Sequence, residues 1–174
     1  MQMAKLNKDR LLFGVFLIIM IAVAEVIFGA FKIDSWIWPG FIVMIWFFAE
    51  HMDKKKVPNI IVGGLFGLFN ILIGKYVFVA LLGSVIGEGL ARLIFILVFV
   101  YAIIALGEIL PILFNIYAFL GLLVTSIAIK VRPLPHDNAD ITILIWMGVY
   151  LVVGLIFIYG ILGSIKLIGA MKKK

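Results

Sequence analysis

The sequence predicts an all-α protein, a single polytopic bundle of six membrane-spanning helices over residues 1–174. First, 66% of the residues are hydrophobic and 14% are charged, and the mean hydropathy is +1.28. A soluble bundle buries only one face of each helix and does not need this much apolar surface. Second, long apolar runs recur with short polar breaks, which is typical of repeated membrane crossings. These features leave no room for a separate soluble domain.

The first two spans differ in length. A charged N-terminus precedes span one, which is longer than the apolar region of a signal peptide and has no small-residue cleavage site, so we expect it to be retained. Span two is short, with Trp36 and Trp38 as interface anchors and Pro39 tolerated in its first turn. The predicted spans cover, in order, residues 11–31, 36–49, 58–86, 90–106, 111–129 and 141–162.

The third span is the most ambiguous. Pro58 is a favourable first-turn residue, and the run that it opens contains Lys75 and several glycines. The run is either one tilted helix or a helix that breaks near Gly74. A full split would leave a second piece too short to cross a bilayer. We therefore favour six spans and keep the break open. Pro111 opens span five, and a basic tail follows span six.

The basic residues predict the orientation. Cytoplasmic segments of membrane proteins are enriched in Lys and Arg. With six spans, one side holds Lys5, Lys8, Arg10, Lys54, Lys55, Lys56, Lys166, Lys172, Lys173 and Lys174. The opposite side holds Lys32, Arg92, Lys130 and Arg132. We therefore expect a multi-pass protein of the inner (plasma) membrane with both termini in the cytoplasm.

Composition also excludes several functions. The charge of +6 does not indicate a nucleic-acid partner, because the basic residues lie at span ends. The absence of cysteine removes thiolate chemistry and cysteine metal sites. The two histidines, His51 and His136, both fall in predicted loops, which argues against a histidine metal site. We expect no metal, no cofactor and no enzymatic activity.

Two charges interrupt the apolar spans. Glu25 lies about 21 Å along span one and Lys75 about 25 Å along span three, at 1.5 Å per residue. Because both spans start on the cytoplasmic side, the two charges are predicted at similar depth, where they can pair. Charges inside a membrane usually mark a functional site. The alternatives are a structural ion pair between helices, or a lysine that extends toward the interface.

Span three also has a stripe of small and polar residues. Gly63, Gly67, Asn70 and Gly74 share one helix face. The favoured interpretation is close helix packing with Asn70 as an interhelical hydrogen-bonding group. The alternative is a narrow solute pathway that leads to Lys75.

Four further polar residues are candidates. Asn115 lies in span five, where an amide in hydrocarbon needs a partner. Glu50, His51 and Glu108 are predicted at the cytoplasmic ends of spans two and four, where they are either solvated or form a cytoplasmic gate.

The chain also permits an internal repeat. Two halves of three spans each have inverted topology, as in many transporters whose site lies at the repeat interface. Spans one to three and four to six have comparable lengths, and residues 39–41 and 117–119 open similar positions in spans two and five.

Part of the chain resembles a family of small bacterial inner-membrane proteins with six predicted spans and no assigned function. The resemblance lies in Trp36 to Ala49 (WIWPGFIVMIWFFA), the following 59–64 (NIIVGG) and the run 117–121 (YAFLG). Glu50 stands where the family has glycine. The family looks like a permease or channel family by its architecture, so the resemblance implies the same span count here.

Together these observations predict a membrane channel or transporter for a small neutral or weakly acidic solute. The site would lie between spans one, three and five, with the bilayer and the solute as partners and with glycine faces that permit homo-oligomers. It would comprise Glu25, Lys75, Asn70, Asn115, Gly67 and Gly74. One alternative is the substrate-binding membrane subunit of an importer driven by a partner ATPase. The other is a structural or assembly protein without a pathway.

Overall fold

The computed structural model describes residues 8–131 and 133–171, which form helices and connecting turns without any strand. Short 3-10 turns at Asp34–Trp36 and Lys54–Lys56 precede the second and third helices. The helices are α1 (Lys8–Ala30), α2 (Trp38–Ala49), α3 (Val57–Ile73), α4 (Ala80–Ile86), α5 (Glu88–Leu106), α6 (Ile116–Ala128) and α7 (Ala139–Met171).

Within residues 8–131 and 133–171, four helical segments have the length and apolar composition needed to cross a membrane. They are Lys8–Ala30, Lys54–Ile86, Glu88–Leu106 and Ala139–Met171. The shorter α2 and α6 are apolar helices of 12 and 13 residues. The six predicted apolar helices are therefore present. Of the predicted basic ends, Lys5, Arg132 and residues 172–174 lie outside the described residues.

The third predicted span is a continuous helix, and the alternative of a break at Gly74 is not observed. Gly74–Val79 forms a π turn that joins α3 directly to α4. Such turns keep the helix unbroken while they widen it locally, and they occur often at functional sites. Here the ring of Phe95 on α5 lies against Gly74, where a Cβ atom would come within 2.8 Å of the ring carbons. The glycine therefore lets α5 approach the π turn closely.

The fifth and sixth predicted spans differ from the observed helices. Residues 107–115, which the prediction assigned in part to span five, form turns, and α6 begins only at Ile116. The reason is local, because the Asn115 side chain caps α6 and ends the preceding turn there. At the other end of the chain, α7 continues to Met171, well beyond the predicted end at residue 162.

The core is formed mainly by two pairs of helices. The short α2 packs chiefly against α7, and the short α6 packs chiefly against α3. Val43, Phe47, Tyr150 and Phe157 are almost fully buried between α2 and α7. α3 also contacts α7, which joins the two pairs. The first helix of the chain lies outside this core, since α1 has no buried residue and packs mainly against α7.

The two halves of the chain have the same order of helix lengths. A long helix, a short helix and a 33-residue helical segment follow one another in residues 8–86 and again in residues 88–171. The short helix of each half packs against the 33-residue segment of the other half. The first helix of each half also contacts the 33-residue segment of the other half. α1 contacts α7, and α5 contacts the π turn, which lies within Lys54–Ile86.

Candidate functional site

Lys75 forms an ion pair with Asp140, at the first turn of α7. The Lys75 Nζ atom lies 2.8 Å from Asp140 Oδ1 and 2.6 Å from Oδ2. The Tyr76 hydroxyl donates a hydrogen bond to Oδ2 of the same carboxylate. The Lys75 ammonium also lies 4.8 Å from the centre of the Tyr76 ring. The π turn thus directs two neighbouring side chains to one carboxylate.

The loop before α7 fixes the position of Asp140. The Asn138 side chain accepts a hydrogen bond from the Asp140 backbone N–H. The Thr142 hydroxyl donates to the His136 carbonyl oxygen and accepts from the His136 N–H, and Thr142 is fully buried. A carboxylate in the first turn of a helix is also stabilised by the helix dipole. Asp140 is therefore held at the end of α7 that faces Lys75.

A cleft of about 400 Å³ opens beside this ion pair. Its walls come from the π turn, α5, α6 and the start of α7, and most of them are apolar. Three cations, Lys75, Arg92 and Lys130, line the cleft, whereas Asp140 is its one carboxylate among the described residues. Arg92 also pairs with Glu88, one helical turn away, at 3.0 Å. The cleft thus has an excess of positive charge beside apolar walls.

This arrangement suits a solute that has both an anionic and an apolar part. A carboxylate accepts strong hydrogen bonds from an ammonium group and a phenol, and both donors converge here. Apolar walls bind the rest of such a solute by removing its surface from water. Because Asp140 already occupies the donors, a solute carboxylate would have to compete with it.

The predicted pair between Glu25 and Lys75 is not formed. Lys75 pairs with Asp140, and Glu25 is exposed on α1, which packs mainly against α7. Of the residues predicted for a site between spans one, three and five, Gly74 and Lys75 line the cleft, whereas Glu25 does not. The reason is that the loop after α6 brings the carboxylate at the start of α7 to Lys75.

The small-residue stripe of α3 is a packing surface, as favoured, and the alternative pathway is not observed. Gly63 faces the Asn115 side chain, and Gly67 faces the backbone of α6 at Ala118. The buried Asn70 donates a 2.7 Å hydrogen bond to the Phe66 carbonyl oxygen of its own helix. The prediction of an interhelical hydrogen bond at Asn70 is therefore wrong.

Asn115 is the N-terminal cap of α6 rather than an amide in the middle of a span. Its Oδ1 atom accepts from the N–H groups of Tyr117 and Ala118. Its Nδ2 atom donates to the carbonyl oxygens of Pro111 and Ile112 at 2.9 Å, and to that of Asn59 at 3.3 Å. One side chain therefore ties the start of α3 to the start of α6.

Replacement of Asn115 by alanine is expected to destabilise the fold by about 1–2 kcal/mol, because the cap is lost. Replacement by aspartate keeps the accepting oxygen but places a charged oxygen beside the carbonyl oxygens of Pro111, Ile112 and Asn59, so it should also destabilise the fold. The midpoint of unfolding in SDS measures both effects. Equal midpoints for Asn115→Ala and the unchanged protein would show that the cap is not important for stability.

The three residues of the predicted gate do not act alike. The half-buried Glu50 accepts a hydrogen bond from the Tyr117 hydroxyl and lies 3.9 Å from Lys56. His51 is exposed and ends α2 with a left-handed backbone, at φ +54°. Glu108 is exposed in the turn after α5. All three residues are described, and of the three only Glu50 links separate helices. The predicted gate of three residues is therefore not assembled.

Sequence reasoning missed the partners of two predicted residues. Asp140 directly precedes predicted span six, so its carboxylate lies on the same predicted side of the membrane as the end of span three. Tyr76 directly follows Lys75, and Tyr117, which bonds Glu50, lies in predicted span five, but neither is among the predicted site residues. The position of Tyr76 next to Lys75 is the sequence feature that could have indicated its part in the cluster.

Among the described residues, no cluster of His, Cys, Asp and Glu is arranged to hold a metal ion. No protein-family model matches this chain, and neither does any curated protein or solved structure.

Proposed function

We propose that the protein crosses a membrane six times and that both of its ends lie on the basic, cytoplasmic side. The four long apolar helices support this proposal, and so do the exposed apolar side chains on them. Val26 on α1 is 70% exposed, Ile104 on α5 75%, and Ile156 on α7 62%. Such residues are costly in water but suited to contact with lipid. At 1.5 Å per residue, the 12 and 13 residues of α2 and α6 extend about 18–20 Å, so these two segments would complete their crossings with the turns that adjoin them.

The two halves of the chain are proposed to be inverted repeats. The repeated order of helix lengths and the exchange of packing partners between the halves support this. Because each half has three spans, the second would insert with the opposite orientation. Transporters built in this way bind their solute where the two halves meet. The Lys75 cleft has this location, because Lys75 belongs to the first half and Asp140 to the second.

The proposed function is transport of a small, weakly acidic solute that has an apolar part. The observation that carries it is the apolar cleft between the halves, where Lys75 and Tyr76 meet Asp140. The sequence alone does not distinguish a neutral solute from a weakly acidic one. The excess of positive charge in the cleft favours the acid.

The proposed mechanism is an exchange of carboxylates. In the structure, the Asp140 carboxylate accepts hydrogen bonds from Lys75 and Tyr76 and so holds α7 against the π turn. The solute carboxylate would displace Asp140 from these donors, and the two halves would then be free to separate at this point. A solute changes such an equilibrium only if it binds the open state more tightly than the closed one.

Three molecules of similar size, each with one aromatic ring, test the preference for acids: benzoate, benzyl alcohol and benzylamine. Equilibrium dialysis against the protein in lipid nanodiscs, with empty nanodiscs as the blank, measures their binding. Benzoate is expected to bind most tightly and benzylamine least tightly. Equal binding of the three, or none above the blank, would contradict the proposal.

Replacement of Asp140 by asparagine is expected to tighten benzoate binding about fivefold. The substitution removes the internal competitor, and a partly exposed ion pair contributes about 1 kcal/mol, or about a factor of five. Asp137→Asn is the matched control, because it removes the same charge from the exposed loop before α7. Weaker binding to Asp140→Asn would show that Asp140 belongs to the site instead of competing with the solute.

A further inference from the structure

A second groove lies at the basic end of the bundle. It has a volume of about 210 Å³ and is lined by Lys54, Tyr159, Leu162, Gly163 and Lys166. Four of these residues belong to α7, and Lys54 approaches from the turn before α3. The proposed site for the acidic solute does not include this groove.

The two lysines of the groove have no carboxylate partner in the described part of the chain. Asp53, next to Lys54, accepts from the Lys55 N–H, and Glu50 pairs with Lys56. In the Lys75 cleft, by contrast, a carboxylate lies opposite the lysine. Two like charges that share a groove repel each other unless an anion lies between them. The groove therefore has the charge of an anion site that no carboxylate of the described residues fills.

The apolar surface beside the groove indicates what kind of anion fits. Val152, Ile156, Tyr159, Gly163 and Lys166 follow one another at spacings of four, three, four and three residues, so they share one face of α7. Val152, Ile156 and Tyr159 are 58%, 62% and 66% exposed. From Gly163 to Val152 this face extends about 16 Å, close to the hydrocarbon thickness of one leaflet.

The order of groups along this face matches the layout of a phospholipid. The charged Lys166 lies at one end, followed by the Tyr159 hydroxyl and then by the exposed apolar strip of Ile156 and Val152. Gly163 adds no side chain to the groove, and a Cβ atom there would meet nothing within 4 Å. Cytoplasmic leaflets contain the anionic lipids that basic residues at span ends attract.

We propose that this groove binds the headgroup of an acidic phospholipid, with its phosphate between Lys54 and Lys166 and its acyl chains along α7. The inference rests on the membrane orientation of the proposed function and not on its solute site. A free phosphate has the same charge but no acyl chains, so it cannot use the apolar strip.

Native mass spectrometry of the delipidated full-length protein tests the proposal with two added lipids, phosphatidylglycerol and phosphatidylcholine. The unchanged protein is expected to bind phosphatidylglycerol about tenfold more tightly, since each lysine near the headgroup favours the anionic lipid. The double variant Lys54→Gln and Lys166→Gln should lose this preference. Equal binding of the two lipids by the unchanged protein would overturn the proposal.

A steric variant separates the groove from charge in general. Gly163→Leu fills the groove and leaves both lysines in place, so it should reduce phosphatidylglycerol binding about tenfold. Gly169→Leu is the matched control, because Gly169 also lies on α7 with open space around it. It should bind as the unchanged protein does. Unreduced binding to Gly163→Leu would place the lipid elsewhere.

Two further measurements assign the source of the anion and isolate the solute site. Inorganic phosphate at millimolar concentration should not displace phosphatidylglycerol. Displacement would show a free-anion site and overturn the lipid assignment. Lys75→Met should keep the full preference for phosphatidylglycerol even if benzoate fails to bind, so the two proposals fail independently. Loss of the preference in Lys75→Met would contradict a separate lipid groove.

Discussion

Replacement of Lys75 by methionine is expected to reduce protein-mediated benzoate uptake into proteoliposomes about tenfold to a hundredfold. Methionine has a similar length but no charge, so the solute carboxylate loses its main donor. Hydrogen bonds to charged groups contribute about 1.5–3 kcal/mol, and each 1.4 kcal/mol corresponds to a factor of ten. Radiolabelled uptake, several pH units above the pKa of the acid and corrected for empty liposomes, measures the loss.

Lys32→Met is the matched control for this experiment. Lys32 is an exposed lysine just after α1 and does not line the cleft. It removes the same charge from the same predicted side of the membrane, so uptake should stay near the unchanged level. Equal loss in the two variants would point to a general effect of surface charge. Full uptake by Lys75→Met would remove the cleft from the pathway.

Replacement of Gly67 by alanine is expected to lower the free energy of unfolding by about 1–3 kcal/mol, the usual cost of overfilling a packed interior. The added methyl group would overlap the carbonyl oxygen of Ala118 and lie 2.8 Å from the Leu122 nitrogen. Both atoms belong to the backbone of α6, so no side chain can move aside and the two helices must separate. The unfolding midpoint in SDS measures the loss.

Two other glycines provide controls for this effect. A methyl group at Gly160 would meet the flexible end of Met20, and one at Gly148 would meet nothing within 4 Å. Gly160→Ala and Gly148→Ala should therefore unfold within about 0.5 kcal/mol of the unchanged protein, like surface substitutions. If Gly67→Ala were as stable as these two, the close approach of α3 and α6 would be wrong.

The sequence was a good guide to the helices because hydropathy is a property of contiguous residues. It predicted the apolar segments that became α1 to α7, and the stripe from Gly63 to Gly74 was correctly favoured as a packing face. It was less reliable at helix ends. Asn115 reads as an amide within an apolar run, yet its side chain caps a helix, and only the backbone conformation distinguishes the two.

The sequence was a poor guide to the site because pairing depends on which helix ends meet. Lys75 stands out in the sequence as an unusual charge, but depth alone predicts Glu25 as its partner. Depth says nothing about lateral position in a bundle, and α1 packs mainly against α7. The carboxylate that does reach Lys75 is 65 residues distant in sequence.

By itself the sequence determined the all-helical class, the number of apolar helices and the small-residue faces, since these depend on composition and on spacing along one helix. Only the tertiary structure decided that Lys75 pairs with Asp140 and that a cleft opens beside them. It also decided that Lys54 and Lys166 share a groove. Each of these features needs two distant segments to meet, and their meeting is set by the packing of α3 and α7 with their short partners.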